Sequence, residues 1–245
     1  MLVKLREPPR RLCMNGQLRF VTSCTAADPN CIIFAYNLCS NSVAFYVLRH
    51  KKWSPLFTFN NSNNTRRPVE AIFYQGHFYA ADNHGVVRRL LFDIEDNSYE
   101  EEVVSVDIGG TTPHRYLVES PSSSSLMMVV RRFHLQTGEM KTKSFEIFKL
   151  DWRNGKWEEV NSLGDQALFL SHHDSKLVSH YPGYSLNSFY FRKNTIFFVD
   201  DLFAHWNSGS CDFGLYDLGD RMVRPLNIYS LYTDSPYCGW FQPAP

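Results

Sequence analysis

The sequence lacks most of the local signatures from which catalytic or ligand-binding chemistry is read. It contains no G-x-S-x-G elbow, no G-x-x-x-x-G-K-[ST] phosphate loop, no G-x-G-x-x-G fingerprint and no H-E-x-x-H helix. Nucleophile, nucleotide and zincin chemistry therefore have no local support. None of the six cysteines (Cys13, Cys24, Cys31, Cys39, Cys211 and Cys238) has a C-x-x-C partner. A structural zinc is not expected, and reduced thiols are. Charge is balanced, with 25 Lys+Arg against 25 Asp+Glu and a pI near 7.1. A phosphate-backbone binder usually shows a domain pI above ~9. No apolar run approaches the ~18 residues of a membrane helix. The first residues, Met1 to Arg6, lack the apolar stretch of a secretory signal. The expectations are no cofactor, no metal, no nucleic-acid or membrane partner, and a cytoplasmic or nuclear location. The basic stretch around Arg10 and Arg11 leaves organellar targeting as the weaker alternative, since Pro8 and Pro9 would break an amphipathic helix.

Aromatics are plentiful: 19 Phe, 13 Tyr and 5 Trp, or 15% of the chain. Such side chains fit a pleated, half-buried surface, so a β-rich protein is expected. The apolar runs are strand-length and punctuated by turns. Residues 31–36 and 43–48 lead through Arg49-His50-Lys51-Lys52 into Trp53. Residues 71–74 and 77–80 flank Gln75-Gly76, a two-residue hairpin turn in which Gly supplies positive φ. Residues 86–92 and 102–106 complete a four-stranded meander. A third unit runs through 115–120, 126–133, 144–150 and 156–160, with Asn154-Gly155 as a hairpin turn. A looser fourth unit uses 167–170, 195–199, 212–218 and 222–226, interrupted by a long loop between Ser171 and Ser188. No helix longer than two turns is expected.

Trp53 and Trp157 hold the same place after the turns of their units, roughly 100 residues apart with one unit between, which gives a period of ~50. That is the size of a four-stranded propeller blade. The fold expected is all-β, a propeller-like (kelch-like) array, complete or incomplete, of about four four-stranded antiparallel blades, with a β-sandwich as the alternative. Trp53 and Trp157 are expected in the core between blades.

Candidate sites are sparse. His172-His173-Asp174 lies on extended chain, where neighbours point to opposite sides and do not converge on one ion. Asp200-Asp201 ends a strand, where carboxylates serve turns more often than catalysis. No catalytic residue is assigned. Aromatics in loops are better placed for binding protein, because Trp and Tyr anchor interfaces. The candidate protein-binding residues are Tyr181 and Tyr184 in the long loop and His205 and Trp206 beyond the strand at 195–199.

Several segments carry a family resemblance. Arg115 to Ser120, RYLVES, and Phe145 to Leu170, FEIFKLDWRNGKWEEVNSLGDQALFL, resemble blocks of a plant family. So do Asn194 to Asp201 (NTIFFVDD), Asp212 to Leu218 (DFGLYDL), residues 69–82 and the closing Gly239-Trp240-Phe241-Gln242-Pro243. The family comprises plant F-box proteins with a C-terminal, kelch-like domain of unknown function. The resemblance implies a single propeller-like domain over 28–245 after an N-terminal extension, 1–27. It also implies a non-catalytic interaction module like the substrate-recognition half of an SCF-type ubiquitin ligase. Ser171 replaces a frequent family Gly. No Leu-Pro dipeptide or ~50-residue helical module marks an F-box, so binding to a Skp-type adaptor is not expected and the protein target is unidentified. A propeller hydrolase with dispersed carboxylates, or a remnant without independent function, are the competing readings.

Overall fold

A computed structural model describes residues 6–13, 18–25, 27–59, 66–108, 114–120, 124–136, 139–171, 175–179, 192–199 and 212–225. Every regular element among them is a strand, and no helix occurs among the described residues. The strands form four sheets, as an all-β array of blade-like units requires. The chain divides into two compact units, Met1–Arg115 with Asp151–Trp157, and Tyr116–Leu150 with Glu158–Pro245.

The first sheet runs β1 (Leu18–Thr22), β2 (Ile32–Asn37), β3 (Ser42–Val47) and β4 (Lys52–Trp53), with the short β5 (Phe57–Thr58) also on β3. The second is a plain antiparallel meander of β6 (Pro68–Tyr74), β7 (His77–Asp82), β8 (Val87–Asp93) and β9 (Ser98–Val103). Gln75 and Gly76 both take positive φ, 46° and 83°, which is the two-residue turn expected from the sequence. Alternation divides this sheet cleanly. Ala71, Phe73, Phe78, Ala80, Leu90, Phe92 and Tyr99 share one face and join Phe34, Tyr36, Val43 and Phe45 of the first sheet in a single core. Phe34, Phe45 and Phe78 meet there with ring centroids 5.0 to 5.9 Å apart. Such pairs add about 0.5–1.5 kcal/mol beyond their area.

The third sheet is β10 (Arg115–Ser120), β11 (Ser125–Gln136), β12 (Glu139–Asp151) and β13 (Lys156–Glu159). Its central hairpin is longer than the apolar runs indicated, because pairing continues through polar residues past a bulge at Arg132/Phe133. Asn154-Gly155 lies in the hairpin turn between β12 and β13, as the sequence indicates. The loop holds four residues, only Gly155 takes positive φ (62°), and its N–H donates to the Asp151 carbonyl at 2.9 Å. Longer hairpin loops of this kind end in one left-handed residue, where Gly costs least.

The fourth sheet is β15-β14-β16-β17-β18, from β14 (Gln166–Leu170), β15 (Lys176–Ser179), β16 (Thr195–Phe198), β17 (Gly214–Asp217) and β18 (Met222–Pro225). It departs from a simple four-stranded antiparallel meander. After β14 the chain turns back as β15 on the outer side, so β16 enters on the other side and pairs with β14 in parallel. In the second unit Tyr116, Val118, Met127, Val129, Phe145 and Ile147 of the third sheet pack with Leu168, Leu170, Ile196, Phe198 and Tyr216 of the fourth.

The two tryptophans expected in the core are half-buried instead. Both sit on a short strand at the edge of their sheet, paired on one side only among the described residues. Trp53 packs against Leu12, Ala35 and Ala44, and its indole N–H donates to the Arg6 carbonyl at 2.9 Å.

Candidate protein-interaction site

The four loop residues expected to bind protein, Tyr181, Tyr184, His205 and Trp206, lie outside the described residues, as do His172-His173-Asp174 and Asp200-Asp201. A different aromatic group is well defined. On the second sheet, the face opposite the core carries Ile72 and Tyr74 from β6, His77 and Tyr79 from β7, Arg89 from β8 and Glu102 from β9. The registers Ile72–Tyr79–Arg89–Glu102 and Tyr74–His77 place them in adjacent rows. Tyr74 and Tyr79 are buried, 2% and 5% exposed, whereas Trp152 above them is 40% exposed. The Trp152 ring lies parallel to Tyr74, 6.0 Å away and tilted 4°, and meets Tyr79 edge-on at 5.5 Å. His77 abuts Tyr79 at 6.5 Å.

Trp152 is held from below and from its own loop. Asp151 accepts from the Arg153 N–H at 2.9 Å and from the Asn154 side-chain amide at 2.6 Å. The Gln75 amide donates to the Tyr74 hydroxyl at 2.9 Å. Burial pushes the Tyr79 phenol up, opposed by its bond from Arg89, so it stays neutral. Arg89 in turn pairs with Glu102. The result is a pre-ordered aromatic surface flanked by Arg153 and an Arg–Glu pair. It has the composition of an interface anchor. The sequence reading passed over Trp152 because it sits one residue after β12, inside a turn. The signal was present in Asp-Trp-Arg-Asn-Gly, an aromatic at the tip of a hairpin.

Two carboxylates that could have joined a dispersed acidic site serve the frame. Asp82, at the end of β7, accepts from Arg88 at 2.9 Å, Arg66 at 3.0 Å and the N–H groups of His84 and Val86 at 2.9 and 3.0 Å. Burial alone would raise its carboxyl. Arg88, Arg66 and the two amides outweigh that and hold it below the usual carboxylate range. Arg88 also bonds Glu101 at 3.2 Å, and Arg66 reaches Asp107 at 3.4 Å. With its carboxyl held below the usual range and saturated with donors, Asp82 is poorly suited to act as a general acid near neutral pH. In the second unit Arg131 is fully buried in the middle of β11. Its guanidinium donates to Thr142, Tyr116, the Val199 carbonyl and Asp212, and lies 4.6 Å over the Phe198 ring. Among the described residues no group of three or more His, Cys, Asp or Glu could hold a metal ion.

Four strand-only sheets, the second of which carries a core on one face and an aromatic surface on the other, define a propeller-type domain. The family model described as the KIB1-4 beta-propeller matches residues 4–217, and the chain belongs to that family. Among its relatives in Arabidopsis thaliana are proteins named for an F-box. One, provisionally named an F-box protein, is 40% identical over 105 residues, 42% of this chain and 25% of that protein. A second F-box protein is 28% identical over 120 residues, 48% of this chain and 27% of that one. A provisionally named F-box/kelch-repeat protein is 27% identical over 160 residues, 62% of this chain and 40% of that one. Each alignment thus spans well under half of the relative's length. A solved chain, the structure of YjhT, superposes at a TM-score of 0.34 and 8% identity over 65% of this chain and 57% of that one, too low a likeness to bear on function. The chain is a β-propeller domain of the kind associated with plant F-box proteins.

Proposed function

We propose that this chain is a non-catalytic protein-recognition module, related in role to the substrate-recognition part of SCF-type ubiquitin ligases. The observation that carries the reading is Trp152, partly exposed and stacked on the buried Tyr74. An exposed Trp already fixed by stacking loses little side-chain freedom on binding, which is what a binding anchor needs. The carboxylates Asp82 and Asp212 are each held by an arginine, which removes two obvious candidates for an acidic hydrolase site. Tyr181, Tyr184, His205 and Trp206 are proposed as additional contacts. Docking to a Skp-type adaptor is proposed to require a helical module beyond the strands described.

The test is affinity capture from plant extract with the wild-type chain, Trp152→Ala and a Tyr181→Ala/Tyr184→Ala variant, each checked for a native circular dichroism spectrum. Proteins recovered by the wild type and lost in a folded variant support recognition through that surface. Equal recovery by all three would refute both surfaces. Hydrolysis by the wild type of any ester or glycoside panel member, lost in Asp82→Asn, would replace the proposal with the enzymatic reading.

A further inference from the structure

The pairing of β1 with β2 sets two cysteines opposite one another. The ladder joins Leu18 to Asn37 and Thr22 to Ile33. It continues past the strand ends, since the Ser23 N–H donates to the Ile32 carbonyl at 2.9 Å. The next rung outward is Cys24 with Cys31. That backbone bond makes Ser23–Ile32 the hydrogen-bonded rung, while the Ile32 N–H is taken by the Ser23 hydroxyl at 2.9 Å. The rung beyond is then the close, non-hydrogen-bonded type, with Cα atoms about 4.5 Å apart. A disulfide spans Cα separations of about 4.4–6.8 Å.

The side chains agree with the backbone. The Cys31 thiol donates to the Cys24 carbonyl at 3.1 Å. The Ser23 hydroxyl lies 3.5 Å from the Cys24 sulfur and 3.9 Å from the Cys31 sulfur. Turn bonds from Asp28 N–H to the Thr25 carbonyl and from Cys31 N–H to the Asp28 carbonyl, at 3.0 and 3.1 Å, hold the connecting loop tight. Cys31 is buried, 1% exposed, while Cys24 is half-buried and open to a reagent on one side. Burial lifts the Cys24 thiol above its ordinary range, eased by the Ser23 hydroxyl and reinforced by the neighbouring Cys31 thiol. The Cys24 thiol therefore reacts only through the minor thiolate fraction at neutral pH.

We propose that Cys24 and Cys31 are a redox modification site, a vicinal cross-strand dithiol that glutathione disulfide oxidises to an intramolecular disulfide. The Cys24 thiolate attacks one sulfur of glutathione disulfide, forming a Cys24–glutathione bond and expelling one glutathione thiolate. The Cys31 thiolate then attacks the Cys24 sulfur, forming the Cys24–Cys31 bond and expelling the second. The two thiol protons pass through solvent to the two glutathione thiolates. The protein loses two electrons and two hydrogens, and one glutathione disulfide becomes two glutathiones.

The full chain is incubated with glutathione disulfide, alkylated and digested. Trypsin leaves Phe20 to Arg49 as one peptide, and cleavage before Asp28 separates Cys24 from Cys31 and Cys39. In the native chain the two pieces stay joined through Cys31, exceeding any Cys24–Cys39 linkage by about tenfold. Exposed Cys39 is alkylated or carries a single glutathione. In Cys31→Ala, Cys24 stops at the mixed disulfide with glutathione. In urea the preference for Cys31 falls, because the rung no longer exists. A stable glutathione adduct on Cys24 in the native wild type, equal Cys24–Cys39 linkage, or no change at Cys24 while Cys39 reacts would each overturn the proposal.

Discussion

Arg131 and Asp212, 81 residues apart in sequence, meet twice: the Arg131 Nη2 donates to the Asp212 backbone carbonyl at 3.0 Å and to its Oδ2 at 3.1 Å. Asp212 Oδ2 also accepts from the Thr142 N–H at 2.7 Å and hydroxyl at 2.6 Å, and Thr142 in turn accepts from Arg131 Nε at 2.8 Å. One closed network thus clamps the central hairpin of the third sheet to the entry of β17. The three phenylalanine rings within 6 Å of the guanidinium (Phe198, Phe133 and Phe145) replace part of its lost hydration.

Breaking that network from either end should be costly. Arg131→Met leaves the Asp212 carboxylate without its cation, and Asp212→Asn leaves a buried guanidinium uncompensated. Each is expected to cost about 3–5 kcal/mol of stability. The double variant should lose clearly less than the sum, because partners in one network couple by about 0.5–3 kcal/mol. Urea denaturation of the four proteins of the cycle measures this. Additive losses would mean that the two groups act separately. Arg131→Lys is not expected to rescue, since an ammonium cannot reach Thr142, Tyr116, Val199 and Asp212 at once.

Asp82 gives a pH dependence with a definite sign. Its folded carboxyl titrates below the ordinary value because Arg88, Arg66 and two amides overcome burial. The native state therefore binds fewer protons than the unfolded chain in the acid range. The stabilisation is complete above the unfolded carboxylate range, near pH 4, and is lost as pH falls through the folded value. Denaturation midpoints measured from pH 6 down to pH 2.5 should fall more steeply for the wild type than for Asp82→Asn. Parallel curves would show that Asp82 does not set the acid limb.

How far the sequence reaches is visible in particular residues. Gln75-Gly76 flanked by alternating apolar runs yields β6 and β7 and their register, since turn chemistry and period two are both local. The blade-like repeat follows from the same local signals summed over the chain. The parallel β14–β16 pair is not local: it depends on β15 occupying one edge first. Arg131 was hidden for a similar reason. In Met127-Met128-Val129-Val130-Arg131-Arg132 it reads as the polar end of a strand. Its burial is made tolerable by partners far away in sequence, Asp212 and the Val199 carbonyl among them. Trp152 was missed because a turn tip gives no periodicity, and its role depends on Tyr74, 78 positions earlier, beneath it.

Two glycines with the same backbone conformation should respond differently to alanine. Gly76 and Gly85 have φ of +83° and +87°. A Cβ on Gly76 meets nothing within 4 Å, whereas one on Gly85 falls 2.6 Å from Ile108 Cγ1 and 2.9 Å from Arg115 Nη1. Gly76→Ala should show the backbone strain alone, about 1–3 kcal/mol. Gly85→Ala adds a clash beside the Asp82 turn, whose carbonyl accepts the Gly85 N–H at 2.9 Å, and should cost visibly more. Thermal midpoints compare the two directly. Equal losses would mean that Ile108 and Arg115 move aside freely.

Trp53 and Trp157 occupy matching positions on edge strands, yet their indole N–H groups have opposite fortunes. The Trp53 N–H donates to the Arg6 carbonyl, whereas the Trp157 N–H is buried with no partner among the described residues. A phenylalanine keeps an aromatic ring and removes the donor. Trp53→Phe should therefore lose about 0.5–1.5 kcal/mol with its hydrogen bond. Trp157→Phe removes a donor whose unmet burial costs about 1–3 kcal/mol, which offsets the lost ring contacts, so stability should hold or rise. Trp157→Ala should cost less than the ~3–5 kcal/mol of a fully buried Trp, because the side chain is only half covered. Urea midpoints of the three variants decide the matter. A loss on Trp157→Phe as large as that on Trp53→Phe would show that the Trp157 N–H has a partner in solution.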